Sequence, residues 1–296
     1  MKYAALIVTY NRLEKLQLCW KATAALSFEH IVIVDNASSD GTEQWLAAQD
    51  DPRLRVIRTE RNLGGAGGFK KGSEYISSFL QPDWVFLFDD DAYPASDILE
   101  NFTCLDKDGY KLLCCKVMTP AGVVCKMNLP YKKIPHTFIE NLQYSCHSED
   151  FLPDPDSVCE VATFSFVGAI IHWEVLVNHY DEIHEELFIY FDDVFFSCRL
   201  TQLGERILYC PKLVFTHDVI LNANIYSTWK LYYLVRNLIL SRKIFVNKAP
   251  FTSAAVFARV LKIVLSCVVQ GRSLKSILYL VRGIKDGLLG RAEKRH

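Results

Sequence analysis

Short apolar runs alternate with stretches of helical spacing through the first ninety residues. Ala4 to Thr9, Ile31 to Val34, Arg55 to Arg58 and Trp84 to Phe88 read as strands. Leu13 to Ala25, Thr42 to Gln49 and Gly67 to Ser78 read as helices between them. This alternation predicts an α/β fold with a mostly parallel central sheet flanked by helices, because near-continuous apolar strands are those buried on both faces. Ligands of such sheets bind beyond the carboxyl ends of the strands. The polar clusters lie there: Tyr10-Asn11-Arg12, Asp35-Asn36, Asn62-Leu63-Gly64-Gly65 and Asp89-Asp90-Asp91.

Downstream the pattern loosens. Leu112 to Asp156 holds Cys, Pro and short apolar runs without periodicity. Thr163 to Ile171 resumes a strand-like pattern, and Glu174 to Asn178 looks helical. Leu187 to Leu203 opens with aromatics and continues as a helix ending near Gly204, and Ile207 to Phe215 is a strand leading to Thr216-His217-Asp218. From Thr228 the chain reads as helices over Trp229 to Phe245, Ala254 to Val269 and Leu274 to Leu289. The expected organisation is an α/β unit over 1–222, divided into 1–111 and 112–222, followed by a helical segment over 223–296.

Composition refines this picture in three ways. With 50% hydrophobic residues the chain is not disordered, and Lys plus Arg at 33 against Asp plus Glu at 34 gives no reason to expect a nucleic-acid partner. From Arg259 onward, however, nine basic residues (Arg259, Lys262, Arg272, Lys275, Arg282, Lys285, Arg291, Lys294, Arg295) stand against Asp286 and Glu293. The ten cysteines show no C-x-x-C spacing, and Met1-Lys2-Tyr3 runs into a strand without a secretory leader, so reduced thiols in a cytoplasmic protein are expected. No window supplies the roughly 20 apolar residues of a membrane span.

The chemistry centres on Asp89-Asp90-Asp91. Like charges this close resist burial unless a cation or hydrogen bonds answer them. Asp89 and Asp91 share one side of an extended segment and suit Mg²⁺ or Mn²⁺, while Asp90 points elsewhere. Asp35, ending a strand, reads as an acceptor for a ribose or base; Ser38, Ser39 and Asp40 read as turn and cap. The glycines of Asn62 to Gly68 let backbone approach a phosphate or sugar, but they do not fit the dinucleotide fingerprint, and a flexible turn stays open. One carboxylate of Asp192-Asp193 suits a helix start, and the other suits a general base. His217 is either a metal ligand or a capped surface histidine.

Taken together, Val8-Thr9-Tyr10-Asn11-Arg12, Val34-Asp35-Asn36-Ala37-Ser38-Ser39-Asp40-Gly41-Thr42, Asn62-Leu63-Gly64-Gly65, Asp89-Asp90-Asp91, Phe191-Asp192-Asp193 and His217 resemble the motifs of family 2 glycosyltransferases, inverting enzymes of GT-A fold. Asn62 to Gly72 and Asp192 to Arg199 are similar to the bacterial galactofuranosyl and rhamnosyl transferases. The resemblance makes 1–111 the nucleotide-sugar-binding half and 112–222 the acceptor half. It implies Thr9, Arg12, Asp35, Asn62, Gly65, Asp89 and Asp90 at the nucleotide-sugar, and Asp89, Asp91 and His217 at Mn²⁺ or Mg²⁺. Asp193 becomes the catalytic base, with Asp192 as the alternative, and Phe166, Gly168 and Trp173 fall to the acceptor. Two departures stand out: Asp192 occupies a position where many members carry Glu, and the usual glycines after His217 are missing. The implied activity moves galactofuranose from a UDP donor to a surface glycan such as a lipopolysaccharide O-chain. Rhamnosyl transfer from a dTDP donor, or a glycan-binding protein without catalysis, are the alternatives. The basic, amphipathic tail suits the cytoplasmic face of an anionic membrane, or else a cap on the core or a dimer contact.

Overall fold

The computed structural model describes residues 1–219, 228–245, 248–269 and 273–292. Strands β1 (Tyr3–Thr9), β2 (His30–Asp35), β3 (Leu54–Arg58) and β4 (Trp84–Asp89) are parallel, in the order β3-β2-β1-β4. Helices α1 (Leu13–Ala24), α2 (Thr42–Ala47) and α3 (Gly64–Phe79) connect them. Alternate residues feed two cores. Ala5, Ile7, Ile33, Phe86 and Phe88 face one layer, and Ala4, Leu6, Val34, Val85 and Leu87 the other. That two-sided burial is why these strands carry unbroken apolar runs.

Helix α3 begins three residues before the expected Gly67. Glycine is a poor helix former, but here close packing outweighs propensity. A Cβ on Gly68 would lie 2.4 Å from Val8 Cγ1, and one on Gly72 would lie 2.1 Å from Leu6 Cδ1. Residues four apart share one helix face, so this face lies directly on β1. Gly68 and Gly72 therefore serve helix–sheet packing.

The remaining strands make the sheet mixed. They are β5 (Ala92–Pro94), β6 (Leu112–Met118), β7 (Cys159–Val161), β8 (Ala169–His172) and β9 (Ile207–His217), with helices α4 (Ile98–Cys104), α5 (Phe138–Cys146), α6 (Trp173–His179) and α7 (Asp192–Gln202). β8 runs antiparallel between β4 and β6, β6 pairs parallel with β9, and β5 and β7 pair antiparallel with β9. Only the end of the strand expected over Thr163 to Ile171 joins the sheet. The stretch without periodicity holds β6 and α5, and α5 buries none of its residues, so no apolar stripe marked it.

Helices α8 (Lys230–Ile244), α9 (Ser253–Val269) and α10 (Leu274–Leu289) form a third layer. Its core includes Leu187 and Phe195 from the preceding unit. α10 lies against α8 through Gly283, where a Cβ would come within 2.7 Å of the Tyr232 carbonyl oxygen. The outer faces leave large apolar residues exposed, Phe257 at 68%, Val268 at 70% and Leu274 at 86%. Among the described residues no helix is long and apolar enough to cross a membrane. Of the basic tail, Arg272, Lys294 and Arg295 lie outside the described residues, as does most of the segment after His217 where a diphosphate-covering loop was sought.

Candidate active site

A cavity of about 680 Å³ opens at the carboxyl ends of β1 and β4. The amino ends of α3, α7 and α8 close its sides, and all three clusters of acids and histidine meet in it. Asp89 ends β4, and Asp90 and Asp91 form the turn into β5. β5 then pairs with β9 so that Ala92 stands opposite His217. This pairing brings Asp89, Asp91 and His217 together, with ligand atoms within 4.8 Å of one another.

Asp90 turns away, accepting from the Thr9 hydroxyl at 2.8 Å and from Arg12 Nη1 at 3.2 Å. The same nitrogen lies 2.5 Å from Asp91 Oδ2. Burial and the neighbouring aspartates push Asp89 up to about 7. Burial likewise raises Asp90 to about 6 against the pull of Arg12. For Asp91 burial acts upward too, but His217 and Arg12 outweigh it and hold the carboxyl below its ordinary range. Burial opposes the charge on His217, yet Asp91 and Asp89 carry it up to about 9.

The histidine is oriented from behind. Its Nδ1 lies 2.8 Å from Asn128 Oδ1, and Asn128 donates through Nδ2 to Ser165 Oγ at 2.9 Å. An Nδ1–H donated to Asn128 leaves Nε2 facing Asp91, 3.2 Å from Oδ1. That buried oxygen has no well-aligned hydrogen bond. Two carboxylates and an imidazole whose Nδ1 is tied to Asn128 form a donor set that fits a divalent cation such as Mn²⁺ or Mg²⁺.

Across the cavity, Asp192 and Asp193 open α7. Asp192 faces the amino end of α3, with Oδ2 3.7 Å from where a Gly65 Cβ would stand. Burial and the Asp193 charge raise its pKa well above the ordinary value. Asp193 is also raised by burial, against hydrogen bonds from the Val194 amide, the Ser165 hydroxyl and the Phe166 amide. Carboxyls held at raised pKa values are suited to receiving protons.

Thr9, Arg12, Asn62, Gly65, Phe166 and the acids line this cavity, whereas Asp35, Gly168 and Trp173 do not. Asp35 is 1% exposed, and its two oxygens accept from the Ser38 amide at 2.9 Å and Arg58 at 2.5 Å. It holds the β2 loop, and the adjacent Asn36 lines the cavity. Gly168 binds the Leu87 carbonyl through its amide and packs on Cys115 and Phe215 inside the sheet. Trp173 lies at the amino end of β4, where its amide bonds the Asp83 carbonyl, at the end of that strand opposite the cavity. Neither is placed to touch an acceptor in the cavity. Phe166 lines the wall, but its ring already stacks on Phe69 at 4.4 Å. Asn128, Ser165 and Lys230 are cavity residues that the sequence reading did not single out. Asn128 lies in the stretch without periodicity, Ser165 sits inside the strand-like run from Thr163 to Ile171 with nothing to mark it, and Lys230 reads as an ordinary helix start. Burial and then Arg12 lower the pKa of Lys230.

The parallel half, the mixed half and the carboxylate-lined cavity together define the GT-A architecture. The sequence profile of Glycosyl transferase family 2 matches residues 4–166, and the chain belongs to that family. Galactofuranosyltransferase GlfT1 of Mycolicibacterium smegmatis (strain ATCC 700084 / mc(2)155) is 34% identical over 93 residues, covering 31% of this chain and 30% of that protein. The matched stretch thus spans under a third of the relative's length. Among solved structures, S. aureus TarS 1–349 superposes with a TM-score of 0.57 at 18% identity, over 98% of this chain and 81% of that one. The mannosyltransferase PcManGT from Pyrobaculum calidifontis, in complex with GDP-Man and Mn²⁺, gives 0.57 at 17% identity over 97% and 87%. Likeness at these identities establishes the fold.

Proposed function

We propose that the protein is a divalent-metal-dependent, inverting glycosyltransferase that moves a sugar from a UDP donor to a glycan acceptor, with galactofuranose as the sugar. One observation carries the reading: Asp89, Asp91 and His217 converge on one side of the cavity that Asp192 and Asp193 line on the other. The galactofuranosyltransferase likeness favours the sugar. A Mn²⁺ or Mg²⁺ held by Asp89, Asp91 and His217 would offset charge on the departing diphosphate. Arg12 and Lys230 add cationic groups on that side. Thr9 fixes Asp90, and Asp90 in turn holds Arg12. Asp193 accepts the proton of the acceptor hydroxyl as its oxygen attacks the anomeric carbon, with Asp192 as the alternative base. The anomeric bond to the diphosphate breaks in the same displacement, so configuration inverts without an enzyme-bound intermediate.

The acceptor belongs to a lipid-linked glycan, as for a lipopolysaccharide O-chain, on the cytoplasmic face of the inner membrane, where the enzyme sits peripherally. The exposed apolar faces of α9 and α10, flanked by exposed Lys262, Lys275, Arg282 and Lys285, support this. Each such cation adds about 1 kcal/mol near an anionic surface. Sedimentation with anionic but not neutral vesicles is the expected result.

The donor is tested by thermal shift with UDP, dTDP and GDP, with and without Mn²⁺. A nucleotide at 100 times its Kd stabilises the fold by about 2.7 kcal/mol. A UDP response that needs Mn²⁺, followed by galactofuranosyl transfer, is the expected outcome. A dTDP response in its place would overturn the donor, and no response to any nucleotide would overturn the reading.

A further inference from the structure

We propose that Arg236 and Asn237, adjacent residues of α8, are positioning residues for the acid pair, holding the backbone of residues 186–190 from which Asp192 and Asp193 enter the cavity. The catalytic meaning of this clamp rests on the reading above; its geometry stands independently. Both side chains are 0% exposed. Asn237 Nδ2 lies 2.9 Å from each of three carbonyl oxygens, those of Leu187, Ile189 and Tyr190. Arg236 Nη2 donates to Glu186 O at 2.6 Å and Leu187 O at 3.0 Å, and its Nε donates to Asn237 Oδ1 at 2.9 Å. The guanidinium thereby fixes the amide's orientation, leaving its NH₂ group to face the carbonyls.

The clamped segment needs such support. Phe188 has φ 67° and ψ −55°, and the Ile189 amide bonds the Leu187 carbonyl at 2.7 Å, which makes a strained γ-turn. Tyr190 and Phe191 also have positive φ, 69° and 65°. Such non-glycine conformations are strained and persist only where the surroundings over-determine them. The turn is gripped from both sides. A Cβ on Gly64 would stand 2.1 Å from the Phe188 oxygen, so α3 abuts it closely. Opposite, the Phe188 ring stacks on Tyr233 at 4.9 Å, and Arg236 lies over that tyrosine at 4.7 Å. The Arg236 guanidinium bonds backbone carbonyls behind the acids. Arg236 Nη1 also bonds Ala292 O beyond α10 at 3.3 Å. The helical segment, outside the span of the family profile, thus braces the loop that carries the acid pair.

The test compares Asn237→Ala, Asn237→Asp and Arg236→Lys in the full chain by hydrogen exchange, metal-dependent UDP binding and turnover. Each variant is expected to speed amide exchange over 187–194 at least about 10-fold while β1 and β4 stay protected. kcat is expected to fall about 100-fold, the scale of a small misplacement of catalytic groups, with donor KM within about twofold. Asn237→Asp sets a carboxylate against three carbonyls and is expected to be at least as severe as Asn237→Ala. Where the Asn237 variants do not fold, Arg236→Lys carries the same readouts. Unchanged exchange over 187–194, an equal rise over β1 and β4, or loss of donor binding in step with turnover would each overturn the proposal. Wild type that transfers no sugar would refute the proposed reaction, while the exchange comparison still decides the clamp.

Discussion

The two halves of the sheet place their functional side chains by different means. In β3-β2-β1-β4 each polar cluster follows directly from the strand before it, so Thr9, Asn36 and Asp89 reach the cavity by local geometry. In the mixed half, Asn128, Ser165, Asp193 and His217 come from four separated segments and meet only through long-range pairing. The trio of Asp89, Asp91 and His217 straddles the two, with the aspartates from one side and the histidine from the other. A parallel β-α-β unit carries its loops to one edge of the sheet by construction, whereas antiparallel additions depend on partners far away in the chain.

The sharpest way to break this comparison is to remove one ligand from each half. Asp91→Asn and His217→Ala are both expected to abolish the Mn²⁺-dependent UDP shift and to cut transfer on the order of 1,000-fold or more, as several kcal/mol of charge stabilisation is lost. An intact response in His217→Ala would confine the metal site to the parallel half. Next comes the acid pair. Asp193→Asn is expected to lower transfer by about 100- to 1,000-fold while leaving the UDP–Mn²⁺ shift in place. A greater loss in Asp192→Asn would exchange the two roles.

Gly64 joins the halves mechanically, since α3 meets the Phe188 carbonyl there. Gly64→Ala sets a Cβ against backbone at positive φ and is expected to cost about 3 kcal/mol, read as a lowered denaturation midpoint. The smallest effect lies on α5, which buries nothing. Thr137 and Glu140 cap it reciprocally, so Thr137→Ala is expected to cost about 1 kcal/mol by urea titration. The Lys133 ammonium, with Thr137, holds Glu140 at about 2, below its ordinary 4.5. Its contribution is therefore fully present above about pH 4.5 and lost as pH falls through about 2. Melting curves between pH 5 and 2 should show wild type losing more stability than Glu140→Gln.

The Asp triplet was legible because it breaks an apolar strand, and the acid pair because charges follow an aromatic run. Asp35 ends β2, where the strand run placed it, but its pairing with Arg58 and the Ser38 amide was not legible in the sequence. Trp173 lay close in sequence to the acceptor-side segment, yet β8 runs from Gly168 toward the far end of the sheet and carries it away. Asn128 carried no signal, since an asparagine outside any periodic run has no distinguishing neighbours.

Hydrophobic periodicity by itself determined the strand–helix alternation, the burial of the parallel strands and the edge where polar clusters gather. These depend on neighbours within a few residues, where strand and helix periods fix which side chains share a face. Tertiary structure alone decided which clusters meet. The Ala92–His217 pairing brings His217 to Asp89 and Asp91, and Arg236 with Asn237 holds the loop before the acids. Strand register and buried hydrogen bonds between residues far apart in the chain are set by the packing of whole elements, and no local window contains that information.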